Sequence, residues 1–157
     1  MKRLAILLPL ALWAAGTANA DTLAAQVAAE AKRLLAQVST VQSSAAARPG
    51  ARPQPITPAL SAALQRFGLA ASRLSSEIDQ RGGPADLRCI FRGMAEETGK
   101  QLTAASEAVT GAEQAKALGR LTHMLKDAVD IAPAVGGNAT AASSSRAAAA
   151  QCPAVQF

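Results

Sequence analysis

Aromatic side chains are almost missing from this chain of 157 residues, which has three Phe, one Trp and no Tyr. The Trp, Trp13, lies in the N-terminal apolar stretch, so the rest of the chain carries only Phe67, Phe91 and Phe157. Proteins that bind single-stranded nucleic acid stack bases on exposed rings, and sugar recognition leans on the same faces. The basic residues alternate with acidic ones instead of forming a patch. Nucleic-acid and carbohydrate recognition are therefore disfavoured.

Histidine is nearly as scarce. His123 is the only one, so any Ser-His-Asp or Cys-His arrangement must use it as the base. On a helical wheel it falls opposite Leu118, Leu121, Leu125 and Val129, among Lys116, Arg120, Asp127 and Asp130, where a solvated surface residue is the simple reading. No G-x-G-x-x-G or phosphate loop occurs, and Gly82-Gly83 reads as a helix stop. Glu96 and Glu97 are adjacent but point about 100° apart on a helix. With Arg92 and Lys100 flanking Glu96 at i±4, they read as an ion-pair row, not an acid/base dyad. The expectation is a protein that is not an enzyme.

Runs of alternating β-branched residues are also missing, which excludes a sheet. No apolar run reaches the roughly 20 residues needed to cross hydrocarbon. The longest, Leu4 to Ala15, follows Lys2 and Arg3 and precedes the small residues Ala18-Asn19-Ala20. That order is a signal peptide over 1–20, cut between Ala20 and Asp21, and it places the protein in the periplasm or outside the cell. No Cys follows the cut to carry a lipid, and no membrane span is expected after cleavage. Of the 16 Lys and Arg, Lys2 and Arg3 leave with the signal, so 14 basic against 11 acidic side chains give a net charge of +3 in place of +5. The remaining 137 residues, 157 less the 20 of the signal, suit one domain that buries about two-thirds of its unfolded surface.

What is present is helical periodicity. Leu23, Val27, Leu34, Val38 and Val41 share one narrow stripe and predict a helix over about 22–47. Pro49, Gly50, Pro53 and Pro55 then make a linker. Thr57 as N-cap and Pro58 at the first position open a second helix, about 58–81. There Leu60, Leu64, Phe67, Ala71, Leu74 and Ile78 form an a/d heptad seam, while Arg73, Glu77 and Arg81 lie on the outer face. A third helix over 85–109 carries Leu87, Ile90, Phe91, Met94, Thr98, Leu102, Ala105 and Val109. Thr110 and Glu113 form a capping box that opens a fourth over 111–132, with Leu118, Leu121, Leu125, Val129 and Ala132, and Pro133 stops it. The fold class is all-α: an antiparallel four-helix bundle over 21–132. An irregular Ala/Ser/Gly-rich tail follows over 133–157, with one short helix expected near Ala147 to Ala150.

Cys89 and Cys152 are the only cysteines, and an oxidising compartment favours pairing of an even count. A bond within the chain is the leading expectation, with a disulfide-linked dimer or two free thiols as alternatives. Closing that loop contributes roughly 4 kcal/mol in the chain-entropy model. The wheel sets Cys89 opposite the apolar stripe of the third helix, so the tail is expected as a strap pinned to the bundle's outside.

Three constellations remain. His123, Asp127 and Asp130, one turn apart in succession, offer one nitrogen and two carboxylates to a metal, with Lys116 and Arg120 opposing. Met94 and His123 at similar heights on neighbouring helices suggest a haem pair, but Met94 faces the core and no Cys-x-x-Cys-His attaches haem. Met94 therefore reads as core filling, and no cofactor is expected. The small residues Ala28, Ala31, Ala63, Ala70, Ala105 and Ala115 bury little area each, which points to modest stability without the disulfide or a partner. The Ala-rich first helix could also dock in trans across the Pro linker. The functional expectation is a non-enzymatic, exported helical-bundle module of the cell envelope that contacts a protein partner. A periplasmic metal- or small-ligand-binding bundle is the alternative. Oligomeric state is open.

Overall fold

The computed structural model describes the backbone of residues 18–137 and Cys152. The cationic start and apolar run of the signal reading, and the helix expected near Ala147 to Ala150, lie outside these residues. Four long helices account for nearly all of the described chain: α1 (Ala18–Ala46), α2 (Pro58–Gln80), α3 (Ala85–Glu107) and α4 (Gly111–Ile131). One further turn, α5 (Ala134–Gly137), follows. No strand occurs among the described residues.

The helix ends follow from local chemistry. Pro58 opens α2 behind Thr57, whose hydroxyl accepts the Leu60 amide at 3.2 Å. At its other end Gly83 donates to the Ile78 carbonyl and Gly82 to that of Asp79, the two bonds of a Schellman stop. That stop needs a left-handed residue, and Gly82 has φ +66°. The capping box opens α4: Thr110 accepts the Glu113 amide, and the Glu113 carboxylate accepts the amides of Val109 and Thr110. This box also corrects the expected reach of the third helix. It draws Ala108 to Thr110 out of the helix, so α3 ends at Glu107 and Val109 stands 77% exposed instead of facing the core.

Every helix pairs antiparallel with its neighbours, as the contacts show. Gln42 meets Thr122, and Ala45 meets Gly111, across α1 and α4. Ser75 and Asp79 meet Arg88 across α2 and α3. Thr98 meets Met124 across α3 and α4. The fold is thus an antiparallel four-helix bundle. Its seams are unequal: α1–α4 and α2–α3 pack far more extensively than α3–α4, and α1–α2 packs least.

The core collects the apolar stripes. All six seam positions of α2, from Leu60 to Ile78, are buried against Val27, Leu34 and Val38 of α1, Phe91 and Met94 of α3, and Leu118, Leu121 and Leu125 of α4. Leu23 and Val41 only flank this core, as do Leu87 and Val129. Polar residues enter it too. Thr98 donates to the Met94 carbonyl at 2.7 Å and reaches the Met124 sulfur at 3.6 Å.

The linker is fastened, not loose. Gly111 and Ala112, whose amides have no partner inside a helix's first turn, donate to the carbonyls of Ala51 and Pro49 at 2.9 and 3.0 Å. Gln114, 1% exposed, accepts the Gln54 amide at 3.0 Å and donates to the Gln54 carbonyl at 2.7 Å and the Ala105 carbonyl at 3.2 Å. Gly111 is required here because a β-carbon would run into the Arg48 carbonyl and come within 2.9 Å of that of Ala45. Within the single chain, α1 lies directly on α4.

Cys89 and Cys152 form the disulfide. Cys89 is 9% exposed, which corrects the expectation that it points outward, yet it stands outside the apolar core cluster. The bonded Cys152 is half-buried.

Candidate functional site: the groove between α1 and α2

The least packed seam leaves a groove. It runs between the first turns of α1 and the last turns of α2 and encloses about 540 Å³. The antiparallel pairing brings Leu23 and Gln26 opposite Arg73, Ser76, Glu77 and Gln80. On α2 these residues are the outer side of a helix whose opposite side is the heptad seam, so the apolar spacing that buries Leu74 and Ile78 also presents Arg73, Ser76 and Gln80 to solvent. Leu23, half-buried, is the apolar part of the lining.

Charge is distributed unevenly along the groove. Glu77 is held by Arg81 one turn on, at 3.7 Å. Arg73, which the sequence places in the same i, i+4 row, enters no ion pair among the described residues. The groove thus offers a guanidinium, amides and hydroxyls on rigid helices, beside one leucine.

The other sequence-derived candidates do not assemble. His123, Asp127 and Asp130 are all exposed, and the described residues contain no group of three or more His, Cys, Asp or Glu able to hold a metal ion. Met94 is fully buried and His123 exposed, so they face different surroundings. Glu96 and Glu97 each face an arginine, but in different surroundings. Glu96 pairs with Arg92 on the surface at 3.4 Å, but Glu97 is 8% exposed, accepts Gln101 at 2.7 Å and faces Arg120 at 3.8 Å. The 100° between neighbours turns one carboxylate outward and the other inward. Arg33, exposed on α1, is raised above its usual pKa by the hydrogen bond and charge of Glu30.

No family model matches the chain, and neither a curated protein nor a solved structure does. The side chains that sequence reasoning missed are Glu97, Gln101 and Gln114. Gln114 had no local signal, because its partners Gln54 and Ala105 are distant along the chain or belong to another helix. No helix among the described residues is long and apolar enough to cross a membrane.

Proposed function

We infer that this protein is a non-enzymatic, exported helical-bundle module of the cell envelope that acts by contact with a partner protein, with the α1–α2 groove as its contact surface. One contrast carries the reading. Among the described residues every buried side-chain nitrogen and oxygen has a partner within the fold, whereas Arg73, exposed and without an ion-pair partner as Arg66 and Lys126 also are, is the cation that lines the groove. Polar groups spent inside the bundle specify structure; a guanidinium held outward on a rigid helix is available for recognition. The leader-like order of residues 1–20 and the Cys89–Cys152 bond support an exported setting.

Position-specific photo-cross-linking in the native compartment tests this. A cross-linker at Ser76 or Gln80 is expected to trap a discrete partner that the same group at Lys126, on the far face of α4, does not. Equal yields from both faces would remove the groove from the reading. A second reading, a small-ligand-binding bundle, is favoured by the groove's volume, which lies within the roughly 300–1,000 Å³ of small-molecule sites. It predicts saturable heat on titration with ligand, lost in Arg73→Ala, with no protein partner trapped.

A further inference from the structure

The outer face of α2 is set by its seam. Leu60, Leu64, Phe67, Ala71, Leu74 and Ile78 turn inward, and at about 100° per residue Leu69 falls diametrically opposite their centre. It stands 62% exposed. Arg66 and Arg73, three residues before it and four after, lie within about 60° of it on the same side of the helix, and both are exposed. Seven residues of helical rise set the two arginine positions about 10 Å apart along the axis. The stripe reads cation, leucine, cation over two turns.

A single exposed leucine needs no explanation; its charged frame does. Arg66 and Arg73 are the cations of α2, and Glu77 and Asp79 are its acids. Both acids are claimed from beyond the helix, Glu77 by Arg81 and Asp79 by Arg88. On neighbouring α1, Glu30 is held by Arg33. Neither Arg66 nor Arg73 enters an ion pair or a side-chain hydrogen bond among the described residues. The outer face of α4 differs, because Lys116, Arg120 and Lys126 share its surface with Asp127 and Asp130, and Arg120 also faces Glu97. Cations there have acids of their own helix beside them. On α2 the counter-charge is missing, and Arg73 carries the stripe onto the wall of the α1–α2 groove.

We propose that the stripe of Arg66, Leu69 and Arg73 takes an acidic, amphipathic helical segment of the partner protein, with carboxylates two turns apart and an apolar side chain between them. Two turns of a partner helix repeat the spacing of the two arginines, and its apolar residue covers Leu69. Each guanidinium donates to a carboxylate through its planar fork of N–H groups. Rim charges of this kind set register and encounter rate, which makes the contact sensitive to salt. The acidic segment presupposes the contact at the groove proposed above, but its charge is measured with a peptide and without the native partner. A discrete cross-link at Ser76 beside charge-blind peptide binding would retain the contact and remove the acidic segment.

The test uses the full chain with its disulfide intact and a fluorescein-labelled, alanine-based helical peptide carrying two Glu two turns apart with Leu between them. Fluorescence anisotropy is expected to show saturable binding that weakens as salt rises, and about tenfold weaker binding of the same peptide with Gln at both Glu positions. Arg66→Ala and Arg73→Ala should each weaken binding about three- to fivefold. Lys126→Ala, which removes the same charge on the far face of α4, should leave it unchanged. Leu69→Ala should weaken it without moving the urea midpoint. A gain complements these losses: the double variant Arg66→Glu, Arg73→Glu should reject the Glu peptide and bind its Lys counterpart. No saturable binding of the Glu peptide, equal affinity for the Glu and Gln peptides, or the same loss in Lys126→Ala would overturn the proposal. Co-sedimentation with phosphatidylglycerol vesicles that depends on Arg66 and Arg73, with the peptide left unbound, would overturn it in favour of a lipid surface.

Discussion

At Gly99 and Gly111 the same substitution has opposite expected effects. A β-carbon at Gly99 meets nothing within 4 Å on the exposed side of α3, so Gly99→Ala should gain about 0.5–1 kcal/mol from helix propensity and reduced unfolded-state freedom. At Gly111 the β-carbon meets the Arg48 and Ala45 carbonyls, and backbone cannot rotate away as a side chain can. Gly111→Ala should cost about 1–3 kcal/mol. Urea denaturation midpoints of the two variants, moving in opposite directions, check both. Gln114→Ala is expected to cost about 1–3 kcal/mol, because the buried glutamine's bonds to the Gln54 amide and carbonyl and to the Ala105 carbonyl are lost together. Its signature beyond stability is faster amide exchange at Gln54. None of this was readable from residue type: a buried glutamine and a glycine under a carbonyl look, in sequence, like any polar or small position in a helix.

Helix by helix, legibility followed periodicity. The α2 seam was fully readable, because six apolar residues at heptad spacing leave one way to turn the helix. Phe67→Ala should therefore cost about 3–5 kcal/mol. Leu69→Ala, at a residue 62% exposed, should stay within about 0.5 kcal/mol of wild type. Paired chemical denaturation curves test the contrast. The capping box was equally plain, since Thr110 and Glu113 satisfy each other's backbone over three residues. Thr110→Ala is expected to lower stability by about 1 kcal/mol. What periodicity missed is where an element gives way to its neighbour. Val109 kept the apolar spacing of α3, but the box claimed its amide for the next helix. Glu97 had no cation at i±4 on its own helix to announce it as the inward carboxylate, and only the packing of α4 beside α3 supplies the Arg120 that faces it. The groove was illegible for the same reason: its walls come from two helices whose contact is set by how the other seams pack.

For the molecule as a whole, the bond between Cys89 and Cys152 spans a sequence separation of 63, so a Cys89→Ser, Cys152→Ser pair should lose roughly 4 kcal/mol if unfolded-chain entropy governs. A smaller loss in urea titration would mean that the unfolded chain stays compact when reduced. The compartment, by contrast, was argued from residues 1–20 and not from the bundle. One feature of the bundle reaches further. The start of α1 packs against α5 at the end of α4, so the two ends of the helical body are neighbours in space. The body is in effect a closed ring of four helices, and the place where the ribosome begins it is arbitrary to its packing. A short glycine bridge from residue 137 to residue 18, with new termini opened between Gly82 and Gly83, would forgo the Cys89–Cys152 bond, keep all four helix seams and reverse the order in which the two helix pairs are completed in synthesis.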